Sequence, residues 1–82
     1  MALVVGTVED MQGLPVSNAL VTVEGGTQPY PDIAIYTDAE GHFQIHLPTG
    51  RFRLAAHSPN GGRGTVEYDS NTSDHLIICL RH

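Results

Sequence analysis

Three histidines, His42, His46 and His57, crowd the middle of the chain, and imidazole is the side chain here best suited to hold a metal ion. Phe43, Ile45 and Leu47 alternate with His42, Gln44 and His46. Phe52, Leu54 and Ala56 alternate with Arg51, Arg53 and Ala55. The period of two predicts two strands, joined by a turn at Pro48-Thr49-Gly50. With Leu47 opposite Phe52 in a hairpin, Ile45 meets Leu54 and Phe43 meets Ala56, and His42 faces His57 with Cβ atoms roughly 5 Å apart. His46 then lies roughly 13 Å along the strand, out of reach. Two imidazoles could share an ion, but a structural zinc site takes four ligands, and a solvated strand face accounts for the same residues. No metal and no cofactor is assigned.

The remaining reactive types are as sparse. Cys79 is the single cysteine, so no intrachain disulfide forms. Its neighbours Leu76, Ile77, Ile78 and Leu80 make it a small strand hydrophobe. A thiolate nucleophile needs an activating base, and His75 stands four residues away. Asp38 and Glu40 beside Gly41 lack the twelve-residue ligand series of a calcium loop and read as a tight turn capped by Asp38. No catalytic residue is assigned.

Charge points instead to binding. The net charge is −5, which disfavours nucleic acid and anionic membranes. Yet no acidic residue stands between Glu40 and Glu67, while Arg51, Arg53, Arg63, His42, His46 and His57 all do. In the hairpin register Arg53 faces His46. Arg51, Arg53, Gln44, His46 and His57 then form an acid-free sheet face able to dock an acidic patch on a protein partner or on the rest of a parent chain. A polar solvent face of an ordinary sheet is the alternative. Tyr30, held between two prolines in GGTQPYPD, offers a second binding surface.

These residues need a scaffold. At 82 residues, roughly 60 to 65 per cent of the unfolded surface can be buried, enough for a single domain spanning 1–82. Strands are expected over Leu3–Val8, with Gly6 marking a bulge or a close backbone approach, then Ala19–Glu24 and Ile33–Thr37. The two strands of the hairpin follow, and then Thr65–Tyr68 and His75–Leu80. Turns fall at Glu9–Pro15, Gly25–Asp32, Asp38–Gly41, Ser58–Gly64 and Asp69–Asp74, and no segment carries a helical stripe. Seven short strands with such turns predict an all-β, antiparallel Greek-key sandwich. Its expected core is Val5, Val8, Val21, Val23, Ile35, Phe43, Ile45, Leu47, Phe52, Leu54, Val66 and Ile78. No apolar run is long enough to span a bilayer, and the first residues lack the pattern of a signal peptide, so a soluble chain is expected.

Three stretches carry a family resemblance. Val5-Gly6-Thr7-Val8 with Asp10, Gly13, Pro15-Val16 and Asn18 to Val23, then Thr37-Asp38-Ala39-Glu40-Gly41-His42-Phe43, then Leu47-Pro48-Thr49-Gly50-Arg51-Phe52-Arg53-Leu54, together resemble carboxypeptidase regulatory-like domains. The resemblance implies a seven-stranded transthyretin-like (prealbumin-like) sandwich. It also implies a non-enzymatic interaction or scaffolding role, by association in bacterial surface or secretion systems. Active relatives of that fold need residues this chain departs from. Isopeptide-forming adhesins use a lysine, which is absent here; Gly62-Arg63-Gly64-Thr65 lacks the tyrosine of the hydroxyisourate hydrolase signature; and the tyrosines and histidines do not show the spacing of intradiol dioxygenases. The alternative function is a small hydrolase or metal-dependent enzyme using the outward histidines.

Overall fold

The computed structural model describes residues 2–26, 34–71 and 75–81. Seven strands form: β1 (Ala2–Glu9), β2 (Leu20–Gly26), β3 (Ala34–Tyr36), β4 (His42–Leu47), β5 (Arg51–His57), β6 (Arg63–Asp69) and β7 (His75–Cys79). They make two sheets, β4-β1-β7 and β3-β2-β5-β6, stacked as a transthyretin-like sandwich. Tyr30 and most of its loop lie outside the described residues.

The expected hairpin of β4 and β5 does not form. β4 pairs antiparallel with β1, placing Phe43 opposite Gly6 and His46 opposite Leu3, whereas β5 pairs with β2 and β6 in the other sheet. Pro48-Thr49-Gly50 is therefore a corner between layers. Period-two alternation states which face of a strand is apolar and leaves its hydrogen-bonded neighbour open. Crossing from one layer to the other buries the same six apolar side chains against one another.

One pairing departs from the antiparallel expectation: β1 and β7 run parallel, with Gly6 opposite Leu76 and Val8 opposite Ile78. A parallel pair requires a long crossover, and the five intervening strands supply it without a helix.

Between the layers lie Val4, Val8, Ala19, Val21, Phe43, Ile45, Leu47, Phe52, Leu54, Ala56, Tyr68, Leu76, Ile78 and Leu80. Val23, Ile35 and Val66, expected in the core, pack partly buried against it. Val5 is a correction. Val5 and Val8 could share a face only through a bulge at Gly6, but β1 pairs without a register shift, so Val4, Gly6 and Val8 point inward and Val5 outward. The bulge falls instead in β2, between Val23 and Gly25.

Two turns at one end of the sandwich are built alike. In Asp10–Leu14 and Asp38–His42 the aspartate Oδ1 accepts from the backbone N–H groups two and four residues on, each at 2.9 Å. The aspartate N–H donates to the fourth carbonyl, and Gly13 and Gly41 take φ of 81° and 77°. A short side-chain acceptor followed three residues later by glycine is what this turn requires.

Candidate partner-docking surface

Alternation along β5 and β6 puts Arg51, Arg53 and His57, with Arg63, Glu67 and Asp69, on the outer face of the four-stranded sheet. Register sets Arg51 opposite Asp69 and Arg53 opposite Glu67. The Arg53 Nε donates to Glu67 Oε1 at 2.8 Å, and Arg51 Nε lies 3.3 Å from Asp69 Oδ2. Hydrogen bonding to Glu67, and then its charge, push the Arg53 guanidinium above its ordinary pKa and keep it protonated. Arg63 reaches Glu24 on β2. In register, the line between those two residues crosses β5 near Ala55, whose methyl is fully buried although it points away from the core. The acid-free arginine face is thus corrected: Glu24, Glu67 and Asp69, remote in sequence from the arginine stretch, are brought beside it by pairing with β6 and β2. Glu24, Gly25, Gly26, Arg51, Phe52, Arg53 and Glu67 surround an open depression of about 340 Å³.

The histidines are dispersed. His57 lies opposite Leu20 and Arg63 in the four-stranded sheet, while His42 and His46 lie opposite Thr7 and Leu3 in the other. The expected His42–His57 and Arg53–His46 pairs therefore do not exist, because they belonged to a hairpin whose strands separate into two layers. Among the described residues no three His, Cys, Asp or Glu side chains gather as metal ligands do. Nor is Cys79 a core hydrophobe: Leu76, Ile78 and Leu80 take the inward positions, so its exposed Sγ points out and lies 3.7 Å from the Asp10 carbonyl. His75 also faces outward, but four residues along a strand is roughly 13 Å.

What the layers bring together is a different surface, the outer face of the three-stranded sheet. It carries Leu3, Val5, Thr7 and Glu9 from β1, His42, Gln44 and His46 from β4, and His75, Ile77 and Cys79 from β7. Leu3 and Ile77 are 52% and 53% exposed. Val5 lies between them, next to Leu3 along its strand and diagonal to Ile77 across the β1–β7 ladder. The three make an apolar diagonal bordered by uncharged-polar and imidazole side chains. Thr7 Oγ1 and His75 Nε2 meet at 3.0 Å beside it. Among the described strand residues Glu9 is the one carboxylate on this face; at its margins Glu40 lies 3.6 Å from His42, and Arg63 and Arg81 line a depression with Ile77 and Cys79. Of the residues expected to bind a partner, Gln44 and His46 belong to this face, and Arg51, Arg53 and His57 to the opposite one.

Leu3, Val5, Ile77 and His75 are the members that sequence reading missed. Leu3-Val4-Val5 and Leu76-Ile77-Ile78 are unbroken apolar runs, in which alternation cannot say which residue turns outward. The available signal was Gly6. Read as an inward position left empty for a neighbouring ring, it fixes the parity of β1 and turns Leu3 and Val5 to solvent.

No curated protein matches the chain. The sequence profile of the carboxypeptidase regulatory-like domain matches residues 4–75, spanning all of β2 to β6, most of β1 and the first residue of β7. With that match over most of its length, the chain belongs to the carboxypeptidase regulatory-like domain family.

Proposed function

We propose that this domain is a non-catalytic protein-interaction module that docks, through the outer face of its three-stranded sheet, onto an apolar surface of a partner protein or of a parent chain. The observation that carries the reading is the Leu3–Val5–Ile77 diagonal, with two large aliphatic side chains more than half exposed on a face whose charged groups stand at its margins. Solvated sheet faces normally carry polar residues, as the opposite sheet does with its cross-strand ion pairs. Membership of a generally non-catalytic family supports the same reading. Among the described residues no helix is long and apolar enough to cross a membrane.

The arginines do not take the docking role in this reading, because they are engaged by carboxylates of the same sheet. The test compares Ile77→Asp and Leu3→Asp with Arg51→Glu and Arg53→Glu as tagged proteins in source cells, each verified as folded by circular dichroism. The first two lose the proteins that co-purify with the wild-type domain and the second two retain them. Loss confined to the Arg51 and Arg53 variants overturns the assignment.

A further inference from the structure

Among the described residues, β4 is an edge strand without the devices that protect edges. Its six residues, HFQIHL, contain no lysine, arginine, carboxylate or proline, and its ladder to β1 shows no register shift. The other edges are defended. β3 has three residues; β6 carries Glu67 and Asp69; and β6 and the residues after β7 are clasped by reciprocal 2.8 Å bonds between the backbones of Arg63 and Arg81.

The parity of the ladder says which backbone groups β4 offers. Val8 N–H donates to Gly41 O at 2.8 Å, so Phe43, Ile45 and Leu47 direct their N–H and C=O toward β1, and His42, Gln44 and His46 direct theirs outward. His42 is already served by the turn, since its N–H donates to Asp38 Oδ1 and its carbonyl accepts from Asp38 N–H. The outward N–H and C=O of Gln44 and His46 meet no described residue.

We propose that two copies of this chain join antiparallel through β4, giving a continuous sheet ordered β7-β1-β4-β4′-β1′-β7′. A two-fold axis at Ile45 sets Gln44 opposite the second copy's His46, and each such pair exchanges both of its backbone bonds. Self-pairing is favoured by the distribution of charge. The domain is acidic, yet the acids nearest β4, Asp38 and Glu40, precede its first residue. In the antiparallel register Glu40 of one copy stands ten strand positions from Glu40 of the other, roughly 30 Å and beyond the screening length at physiological salt. Side chains facing across the join are glutamine and histidine. The arrangement leaves the Leu3–Val5–Ile77 diagonal of both copies open, so it stands independently of the docking reading.

Gln44→Pro removes an outward N–H and no bond to β1, so it blocks the edge and spares the monomer. Sedimentation equilibrium on the full chain is expected to show the wild type moving with concentration from 8.8 kDa toward twice that mass, and Gln44→Pro staying at 8.8 kDa with the wild-type circular dichroism spectrum. If Gln44→Pro fails to fold, His46→Lys, which places a charge on the edge, is read the same way. Wild type, but not the variant, slows amide exchange at Gln44 and His46 as concentration rises. A wild type that remains monomeric up to about millimolar concentration overturns the proposal. So does a dimer that survives the edge substitutions.

Discussion

Gly6 and Phe43 occupy one position between them: a Cβ built on Gly6 would lie 2.4 Å from Cζ of Phe43 and 2.8 Å from the carbonyl oxygen of Leu76. The two residues are opposite one another in the β1–β4 ladder, and the ring fills the inward site that the glycine leaves vacant. Gly6→Ala is expected to cost about 1 to 3 kcal/mol through displacement of the ring or the strand. Truncating the ring in Phe43→Ala costs about 3 to 5 kcal/mol. The double variant loses less than the sum of the two, because removing the ring makes room for the methyl. Urea denaturation of the four proteins measures the coupling; strict additivity contradicts the packing described here.

Thr37 is the buried polar side chain of the core, 3% exposed, and it ties β3 to the segment before β2. Its Oγ1 donates to the Val16 carbonyl at 2.7 Å and accepts from Ala19 N–H at 2.9 Å. Thr37→Val keeps the shape and strands both partners, so a loss of about 1 to 3 kcal/mol is expected, with Thr37→Ser losing less. Equal stability of the valine variant and the wild type in thermal unfolding contradicts this.

Asp38 sets an acid limit. Backbone N–H donation from His42, then from Glu40, holds its carboxyl below the ordinary carboxylate value. A group whose pKa is depressed on folding contributes stability that is fully present above its unfolded value, about pH 4, and is lost as pH falls through the lower folded value. The melting-temperature difference between wild type and Asp38→Ala is therefore expected to be constant near neutrality and to narrow below pH 4. A carbon-detected titration should place the Asp38 midpoint below that of a model peptide. A midpoint above it contradicts the turn geometry.

These three sites show what could be read before the fold was known. Strand positions and the inward residues of β4 and β5 followed from alternation, and the Asp38 turn from aspartate and glycine at fixed spacing. Which strand lies beside which did not follow, because Phe43 and Phe52 bury equally well in a hairpin or in facing layers. The binding face inherited that ambiguity. The hairpin register pairs Arg53 with His46, whereas its neighbour in the sheet, at 2.8 Å, is Glu67, fourteen positions on. Leu3 and Ile77 stayed hidden in continuous apolar runs. Thr37 looked like any strand threonine, because its partners Val16 and Ala19 come close only once β3 lies beside β2.

The Arg53–Glu67 pair is exposed, as is Arg51 of the pair it makes with half-buried Asp69, and solvent and salt screen both. Replacing Glu67 with Gln is expected to leave the melting temperature nearly unchanged and insensitive to added salt. A large, salt-dependent loss contradicts the view that this face contributes little to stability.

The central claim, that partners meet the outer face of the three-stranded sheet, is tested most directly by site-specific photocrosslinking in source cells. A benzophenone amino acid replaces Ile77 in one protein and Arg53, exposed on the opposite sheet, in another. The account predicts a discrete adduct from position 77 and none from position 53. An adduct from 53 with none from 77 contradicts it.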